Sequence, residues 1–337
     1  MNVAVDAMGG DHAPDEVVAG AVEAASRDGI PVILVGDRER IARSLGSVSP
    51  VDGVTIHHCA ESIGMGESPL KAVRKKKDAS IRVAFQLVRE GRADAVVSAG
   101  NSGATLAAGV LTLGCLPGVE RPAIAGVFPG KKGPVVLIDV GANVDCRPGL
   151  LFQFGMMAHA FVTSFLGIEN PRIGLLSIGE ESGKGNEQVR LARELFENSR
   201  LNFTGNVEGR DIFTGDVEII VCDGFVGNVA LKLGEGLAET MFSLLKSELR
   251  RSFLLRIGCR LGRKPLRSLR KKLHYEAYGG APLLGINGVG IVCHGGSLAP
   301  AIRNAVCMAR RYASCGLSER MAAQMTALSS SGLKNRD

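Results

Sequence analysis

The chain contains no tryptophan and only three tyrosines, and aromatic residues make up 4% of its 337 positions. That scarcity excludes an aromatic-rich binding surface. Neither Gly-x-Gly-x-x-Gly nor the Walker pattern Gly-x4-Gly-Lys-Ser/Thr occurs anywhere, which weighs against nucleotide-cofactor and ATPase readings. Eight cysteines are scattered at 59, 115, 146, 222, 259, 293, 307 and 315 without a Cys-x-x-Cys pair, and the six histidines form no pair at metal-ligand spacing. No metal site is expected, and the thiols read as reduced and mostly buried. The first residues, Asn2-Val-Ala-Val-Asp6, lack the basic and long apolar regions of a secretory signal, so a cytosolic protein is expected.

Charge is missing altogether from Ala95 to Val119, a stretch long enough to span a bilayer. Its content argues otherwise. Gly100, Asn101, Ser102 and Gly103 divide it into a short strand and a small-residue helix from Ala104 to about Leu113, which Gly114 and Pro117 stop. A buried strand-loop-helix unit is the expectation.

What is present points to a globular enzyme-like chain. Hydrophobic residues reach 45% and glycines number 44. The length fits two domains or one large α/β domain. Apolar β-rich runs at Val3–Val5, Pro31–Val35, Val54–His57, Ala95–Val97, Val135–Ile138, Ile173–Ser177 and Ile219–Val221 predict strands. Helical spacing predicts helices over Asp15–Arg27, Ser80–Arg89, Leu150–Phe165, Asn186–Asn198 and Asn228–Ser247. The alternation predicts a mostly parallel, doubly wound sheet with ligands beyond the carboxyl ends of its strands. No linker or internal repeat divides the chain, so residues 1–328 read as one α/β/α domain and 329–337 as a polar tail.

Five loops share one design, an apolar run ending in Gly with Asp, Asn or Ser. They are Asp6-Ala-Met-Gly9-Gly10-Asp11, Ser98-Ala-Gly-Asn101-Ser102-Gly-Ala104, Asp139-Val-Gly-Ala-Asn143, Gly179-Glu-Glu-Ser-Gly-Lys184-Gly185-Asn186-Glu187 and Asp223-Gly-Phe-Val-Gly-Asn228. Such loops offer backbone N–H groups and helix N-termini, which favour anions. Phosphate is the expected ligand. Lys184, between glycines, can reach an anion as a point charge. Asp139 and Asp223, each followed by an Asn, read equally as loop and cap formers or as ligand contacts. His294, at the end of an apolar run before Gly295, could donate a proton to a leaving group, with His12 the alternative. Cys146, Cys222 and Cys293 lie near these loops, but no Cys-His-Asn order or nucleophile elbow accompanies them.

The net charge of +6 is unevenly spread. Residues 246–272 hold eleven Lys or Arg and one Glu, leaving the remainder about four units negative. Leu245, Leu249, Phe253, Ile257 and Leu261 recur every fourth residue there, and Leu266, Leu269 and Leu273 follow Gly262 and Pro265. The pattern predicts a basic amphipathic helical hairpin over 241–275. Its partner reads as solvent or a second subunit, or as an anionic membrane surface; nucleic acid ranks third, for want of Asn, Gln and aromatics.

The ordered motifs, from Val5-Asp-Ala-Met-Gly-Gly-Asp-His-Ala-Pro14 through Ala72-Val-Arg-Lys-Lys-Lys77, Ser98-Ala-Gly-Asn101, Asp139-Val-Gly-Ala-Asn-Val-Asp145, Lys184-Gly-Asn-Glu187 and Asp223-Gly-Phe-Val-Gly-Asn228 to Tyr278-Gly-Gly-Ala281 and His294-Gly295, resemble the phosphate acyltransferase family, PlsX. The resemblance implies a Rossmann-like three-layer α/β/α fold related to isocitrate and isopropylmalate dehydrogenases and to phosphotransacetylase. It implies reversible transfer of a fatty acyl group from acyl carrier protein thioester to inorganic phosphate, without a cofactor, giving acyl phosphate for phospholipid synthesis. A homodimer attached peripherally to the inner face of the membrane is also implied, feeding a downstream glycerol-3-phosphate acyltransferase, with no nucleic-acid partner. Ser102, Cys146 and Cys293 depart from the usual family residues.

On this resemblance Lys184, Asn228, His294 and Asp223 are the expected catalytic residues. Asp6, Gly9, Gly10, Asn101, Ser102, Asp139, Asn143, Gly185 and Asn186 are expected to bind phosphate or substrate. Leu249, Arg250, Arg251, Phe253, Leu254, Ile257 and Leu261 are expected to meet the membrane. Arg74, Lys75, Lys76 and Lys77 offer a landing surface for an acidic carrier protein. The rivals are a metal-dependent dehydrogenase of related fold and a non-enzymatic scaffold at the membrane surface.

Overall fold

The computed structural model describes residues 1–46, 51–251 and 279–330. Its first half alternates β1 (Val3–Asp6), α1 (Asp15–Asp28), β2 (Val32–Gly36), α2 (Arg38–Leu45), β3 (Val54–His58), α3 (Pro69–Lys75), α4 (Ser80–Arg89), β4 (Ala95–Ser98) and α5 (Ser102–Leu113). After these come β5 (Ala123–Pro129), β6 (Pro134–Ile138), α6 (Pro148–Phe161), β7 (Ile173–Leu176), α7 (Glu187–Glu197), β8 (Phe203–Val207), β9 (Ile219–Val221) and α8 (Gly224–Arg251). The chain closes with β10 (Ala281–Leu284), β11 (Gly290–Val292), α9 (Ala299–Ser314) and α10 (Leu317–Ser330).

Eleven strands form one sheet in the order β3-β2-β1-β4-β11-β10-β5-β6-β9-β7-β8. Val, Ile, Leu and Ala fill the inner strands because helices cover both faces, so a continuous apolar run replaces alternation. The five strands from β3 to β11 are mutually parallel, as are the four from β6 to β8. Three antiparallel pairings, β11 with β10, β10 with β5 and β5 with β6, reverse direction between these halves. The sheet is therefore mostly parallel within each half, yet the halves run oppositely.

The register decides where their ends lie. Ser98 pairs with Val292, and Val292 with Ala281. Continuing the β10–β5 register sets Ala281 beside Gly126, which pairs with Leu137. Leu137 pairs with Ile220, and Ile220 with Gly174. The row thus passes through the last residues of β4 and β11 and within one or two residues of the ends of β6, β9 and β7, although two of these strands run one way and three the other. The carboxyl ends of both halves meet there.

Two apolar segments pass a membrane-length test on sequence or shape, and both are core. Residues 95–119 form β4 and α5, with Ala95, Val96, Val97, Ala104 and Ala108 buried. Pro148–Leu166 is long and apolar enough to cross a bilayer, but Leu151, Phe154, Met157 and Phe161 are wholly enclosed. Phe152 meets Phe196 of α7 edge to face at 5.1 Å, and Phe161 meets Tyr312 of α9 at 5.6 Å. This helix is the buried layer between the sheet and the outer helices. Ion pairing joins the chain's ends: Arg303 of α9 grips Asp28 of α1 through two hydrogen bonds of 2.7 and 2.8 Å.

Candidate active site

A cleft of about 270 Å³ opens where the two sets of strand ends meet. The β4 loop and α5 contribute Gly100 and Ser102, and the end of β11 contributes Val292, Cys293, His294 and Gly295. From the other half come Val140 and Gly141 after β6, together with Asn228, Leu231, Lys232 and Glu235 of α8. Ile124 and Val127 of β5 and Met65 complete its apolar side. Polar and apolar residues both line it, as a bond between a hydrophobic chain and a charged group would require.

The first loop is held from beneath. Ser98 Oγ donates to Asp6 Oδ2 at 2.7 Å and accepts from the Gly100 N–H at 3.1 Å. Burial pushes the Asp6 carboxyl up, against the lowering effect of its hydrogen bonds. Gly9 sits so close above it that a β-carbon would lie 2.5 Å from Asp6 Oδ2 and 2.8 Å from the Gly100 nitrogen. Asp6, Gly9 and Gly10 thus pack the base of the β1 and β4 loops and do not line the cleft.

Asn101 caps α5, accepting the Ala104 N–H at 3.0 Å, while its amide donates to the Met65 carbonyl at 2.9 Å. Its side chain fixes the helix end and the 65–67 loop. Ser102, the next residue, is exposed and faces the cleft at the first helical position.

Asp139 is fully buried and accepts N–H groups from Ile124, Gly141, Ala142 and Asn143, and the Asn143 amide as well. The second partner of that amide is the Pro122 carbonyl at 2.9 Å. Burial raises the Asp139 carboxyl's proton affinity, and the donors around it oppose the rise. Asp139 and Asn143 therefore shape the loop, and it is Gly141 that reaches the cleft. The Asn143 side chain caps no helix, because α6 begins only at Pro148.

The Asp223 motif differs from its sequence reading. Helix α8 begins at Gly224, one turn before Asn228, and Asp223 Oδ1 accepts the Val226 N–H at 2.9 Å. Two glycines read as loop are helix because the α8 backbone lies against the Asp139 loop. A β-carbon on Gly224 would be 2.7 Å from the Asn143 carbonyl oxygen, and one on Gly227 only 1.8 Å from that of Asp139. Asn228 consequently projects from the second turn into the cleft, with Leu231, Lys232 and Glu235 on the same face at i+3, i+4 and i+7.

His294 Nδ1 accepts the Gly296 N–H at 3.1 Å, so a neutral ring carries its proton on Nε2. That nitrogen stands 4.0 Å from Glu235 Oε2. The thiols nearby are poor nucleophiles: burial pushes Cys293 up to about 12, Cys146 up to about 11, and Cys222 far above its ordinary value.

Lys184 is exposed in the loop after β7 and is not a lining residue. Gly185 turns the chain at φ +99°, and Asn186 caps α7 by accepting the Val189 N–H at 2.9 Å. Gln188 ties this helix to the Cys146 carbonyl at 2.6 Å, securing the Lys184 loop beside the Asp139 loop. Lys76 departs from the expected basic surface, since it pairs with Glu67 at 2.7 Å and donates to the Ser62 carbonyl; Arg74, Lys75 and Lys77 are exposed. His12 is likewise not a lining residue.

Sequence reading missed Lys232 and Glu235. Their signal was available as two charges at helical spacing from Asn228. Of the expected membrane residues, Leu249, Arg250 and Arg251 end the described α8 backbone, and Phe253, Leu254, Ile257 and Leu261 lie outside the described residues, as does most of the expected 241–275 hairpin.

The family model for a fatty acid synthesis protein matches residues 1–320. A phosphate acyltransferase of Nitratidesulfovibrio vulgaris is 54% identical over 322 residues, covering 95% of this chain and 93% of the relative. One from Geobacter sulfurreducens is 52% identical over 327 residues, covering 96% and 94%. Among solved structures, a phosphotransacetylase from Streptococcus pyogenes superposes with TM-score 0.59 at 20% identity, covering 97% of this chain and 94% of the other. The 4-hydroxythreonine-4-phosphate dehydrogenase from Klebsiella pneumoniae gives 0.54 at 16%, covering 93% and 99%. These two likenesses concern the fold.

Proposed function

The chain belongs to the phosphate acyltransferase family, and from that premise we propose that its acyl donor is the thioester of acyl carrier protein and that the reaction runs in the cleft between the two half-sheets. The protein is an acyltransferase with phosphate as acceptor. The observation that carries the siting is the convergence of Ser102, Gly141, Asn228 and His294, from four different strand ends, on one cleft that apolar residues also line.

Phosphate at neutral pH is a competent oxygen nucleophile, so the site has to hold it, aim it and stabilise the developing oxyanion. Ser102 with the first turn of α5, the Gly141 N–H and Asn228 supply donors for phosphate and oxyanion. A phosphate oxygen attacks the thioester carbonyl carbon, the new C–O bond forms and the C–S bond breaks. The hydroxyl proton of the bound hydrogen phosphate passes to the leaving sulfur, so that the products are the acyl phosphate dianion and the free thiol, and His294 Nε2–H hydrogen-bonds the departing sulfur as charge develops on it. Lys184, from the adjoining loop, adds positive charge, while Asp6, Asp139, Asn143 and Asp223 hold the donors in place.

The acyl chain lies against Ile124, Val127 and Leu231. Arg74, Lys75 and Lys77 receive the acidic carrier. Outside the cleft, Val229, Leu233, Leu237, Met241 and Leu244 form an exposed apolar stripe along α8, which supports docking against a second copy as a homodimer. The basic residues beyond it would meet an anionic membrane, from which acyl phosphate passes to glycerol-3-phosphate acyltransferase for phospholipid synthesis. Peripheral attachment at the cytoplasmic face follows from this reading.

Donor choice is tested by comparing kcat/KM for palmitoyl-acyl carrier protein with that for palmitoyl-pantetheine. The carrier thioester should be favoured, and Arg74→Glu with Lys75→Glu should erase most of the preference. Equal use of both donors would refute carrier recognition. For the membrane, Leu249→Glu should lose flotation with anionic vesicles while soluble activity persists.

A further inference from the structure

Resting on the reading of the cleft as the phosphate site, we infer that Lys232 is the ammonium that neutralises phosphate there. The cleft receives a dianion, and its donors from Ser102, Gly141 and Asn228 are neutral. Charge balance at that point calls for a cation within the walls. Among the described residues lining the cleft, Lys232 is the one permanently cationic side chain. Its ammonium makes no ion pair or hydrogen bond with other described residues, so it is not committed elsewhere.

The backbone aims it. Gly224 and Gly227 seat the first turn of α8 against the Asp139 and Asn143 carbonyls, closer than any side chain would allow. That contact fixes the rotation of the helix. Asn228 and, four residues on, Lys232 then lie one above the other on the cleft face. Side chains on a helix lean toward its N-terminus, which carries the Lys232 stem back toward Asn228 and Gly141. Asn228 offers a directional hydrogen bond and Lys232 a point charge to one tetrahedral anion. Glu235, one turn further, belongs with His294 at 4.0 Å on the leaving-group side. The single helix face would thus divide its polar residues between the two ends of the reacting bond.

Lys184 and Lys232 are both exposed, but Lys184 lies outside the lining, which suits capture of phosphate from solvent. The inner role falls to Lys232.

The test is steady-state kinetics of acyl phosphate formation, trapped with hydroxylamine, with phosphate and palmitoyl-acyl carrier protein varied separately. Lys232→Met should raise the phosphate KM about tenfold, the loss expected when one charge-assisted hydrogen bond is removed at an exposed position. The KM for the acyl donor should stay within about threefold, since the donor's uncharged thioester loses no ionic partner. Lys232→Arg, which keeps the charge, should recover much of the phosphate affinity, and its melting temperature together with that of Lys232→Met reports folding. A phosphate KM unchanged in a folded Lys232→Met protein overturns the inference. So does a large rise for Lys184→Ala without one for Lys232→Met, which gives the inner role to the β7 loop. Failure of the wild type to form acyl phosphate would instead refute the reading of the cleft on which this rests.

Discussion

Gly227 lies so close to Asp139 that a β-carbon on it would stand 1.8 Å from the Asp139 carbonyl oxygen. Backbone meets backbone there, leaving no flexible side chain to move aside. The consequence is that α8, which carries the cleft's polar face, is docked on the β6 loop through a glycine contact.

Gly227→Ala should therefore cost about 3 kcal/mol or more, because relief requires the helix to shift bodily. Denaturant unfolding followed by far-UV circular dichroism measures the loss, and phosphate KM should rise in parallel. Gly236→Ala, on the same helix and with nothing within 4 Å of where a β-carbon would stand, should be neutral or mildly stabilising. Equal effects from both substitutions would contradict the docking argument.

His294→Ala should lower kcat with little change in phosphate KM. The ring's Nε2 proton is directed by the Gly296 N–H on Nδ1, and its use lies in hydrogen-bonding a departing thiolate as charge develops on sulfur. One preorganised donor of this kind is worth about 100-fold in kcat. An aryl thioester donor, whose thiolate departs unaided, should show a much smaller defect. If the defect is the same for aryl and alkyl thioesters, His294 holds the loop and does not assist the leaving group.

No acyl-enzyme should accumulate when acyl donor is supplied without phosphate. The thiol of Cys293 borders the cleft, but burial holds it up to about 12, so its thiolate is scarce at neutral pH. Mass spectrometry of the protein after incubation with donor alone should find no acyl adduct. A stoichiometric adduct at Cys293 would replace direct transfer by a two-step route.

Much of the architecture was legible because buried parallel strands need uniform apolar runs. Val3–Asp6, Val32–Gly36, Ala95–Ser98 and Ile219–Val221 carry that signature plainly, and the helices between them keep a helical period. The reversal in mid-sheet was not legible. Strand β5 contains Gly126 and ends in Pro129, and β10 contains Pro282, so neither reads as a strand by propensity. Without them the two halves cannot be oriented, and the meeting of their carboxyl ends stays hidden. The site was legible as a set of loops but not in its division of labour. Asp139 and Asn143 look like ligands because a carboxylate and an amide flank glycines, yet they bind each other and the surrounding backbone. Lys232 and Glu235 stood in a helix that the period located, but only the Gly227 contact says which face turns inward.

The Asp28–Arg303 pair gives a pH-dependent prediction. Hydrogen bonding to the guanidinium holds the Asp28 carboxyl below the usual range. The folded state therefore takes up its proton at lower pH than the unfolded chain. Its stabilisation is present above the unfolded value near pH 4 and is lost as pH falls through the lower, folded value. Asp28→Asn should cost about 1 kcal/mol at pH 7, for a partly enclosed, two-bonded pair, and progressively less as pH falls below about 4. Asp6 and Asp139, which burial pushes up, contribute with opposite sign, so the difference between variant and wild type is the quantity to measure. A difference that persists undiminished at pH 2 would mean that packing, and not charge, joins α1 to α9.

The most direct test of the central claim is hydroxylamine-trapped acyl phosphate formation from palmitoyl-acyl carrier protein, measured as a function of phosphate for the wild type and Asn228→Ala. Product should form only with phosphate, and the variant should need far more phosphate while folding normally. Product formed independently of phosphate, or an Asn228→Ala protein with wild-type phosphate dependence, would contradict the placement of the reaction between the two half-sheets.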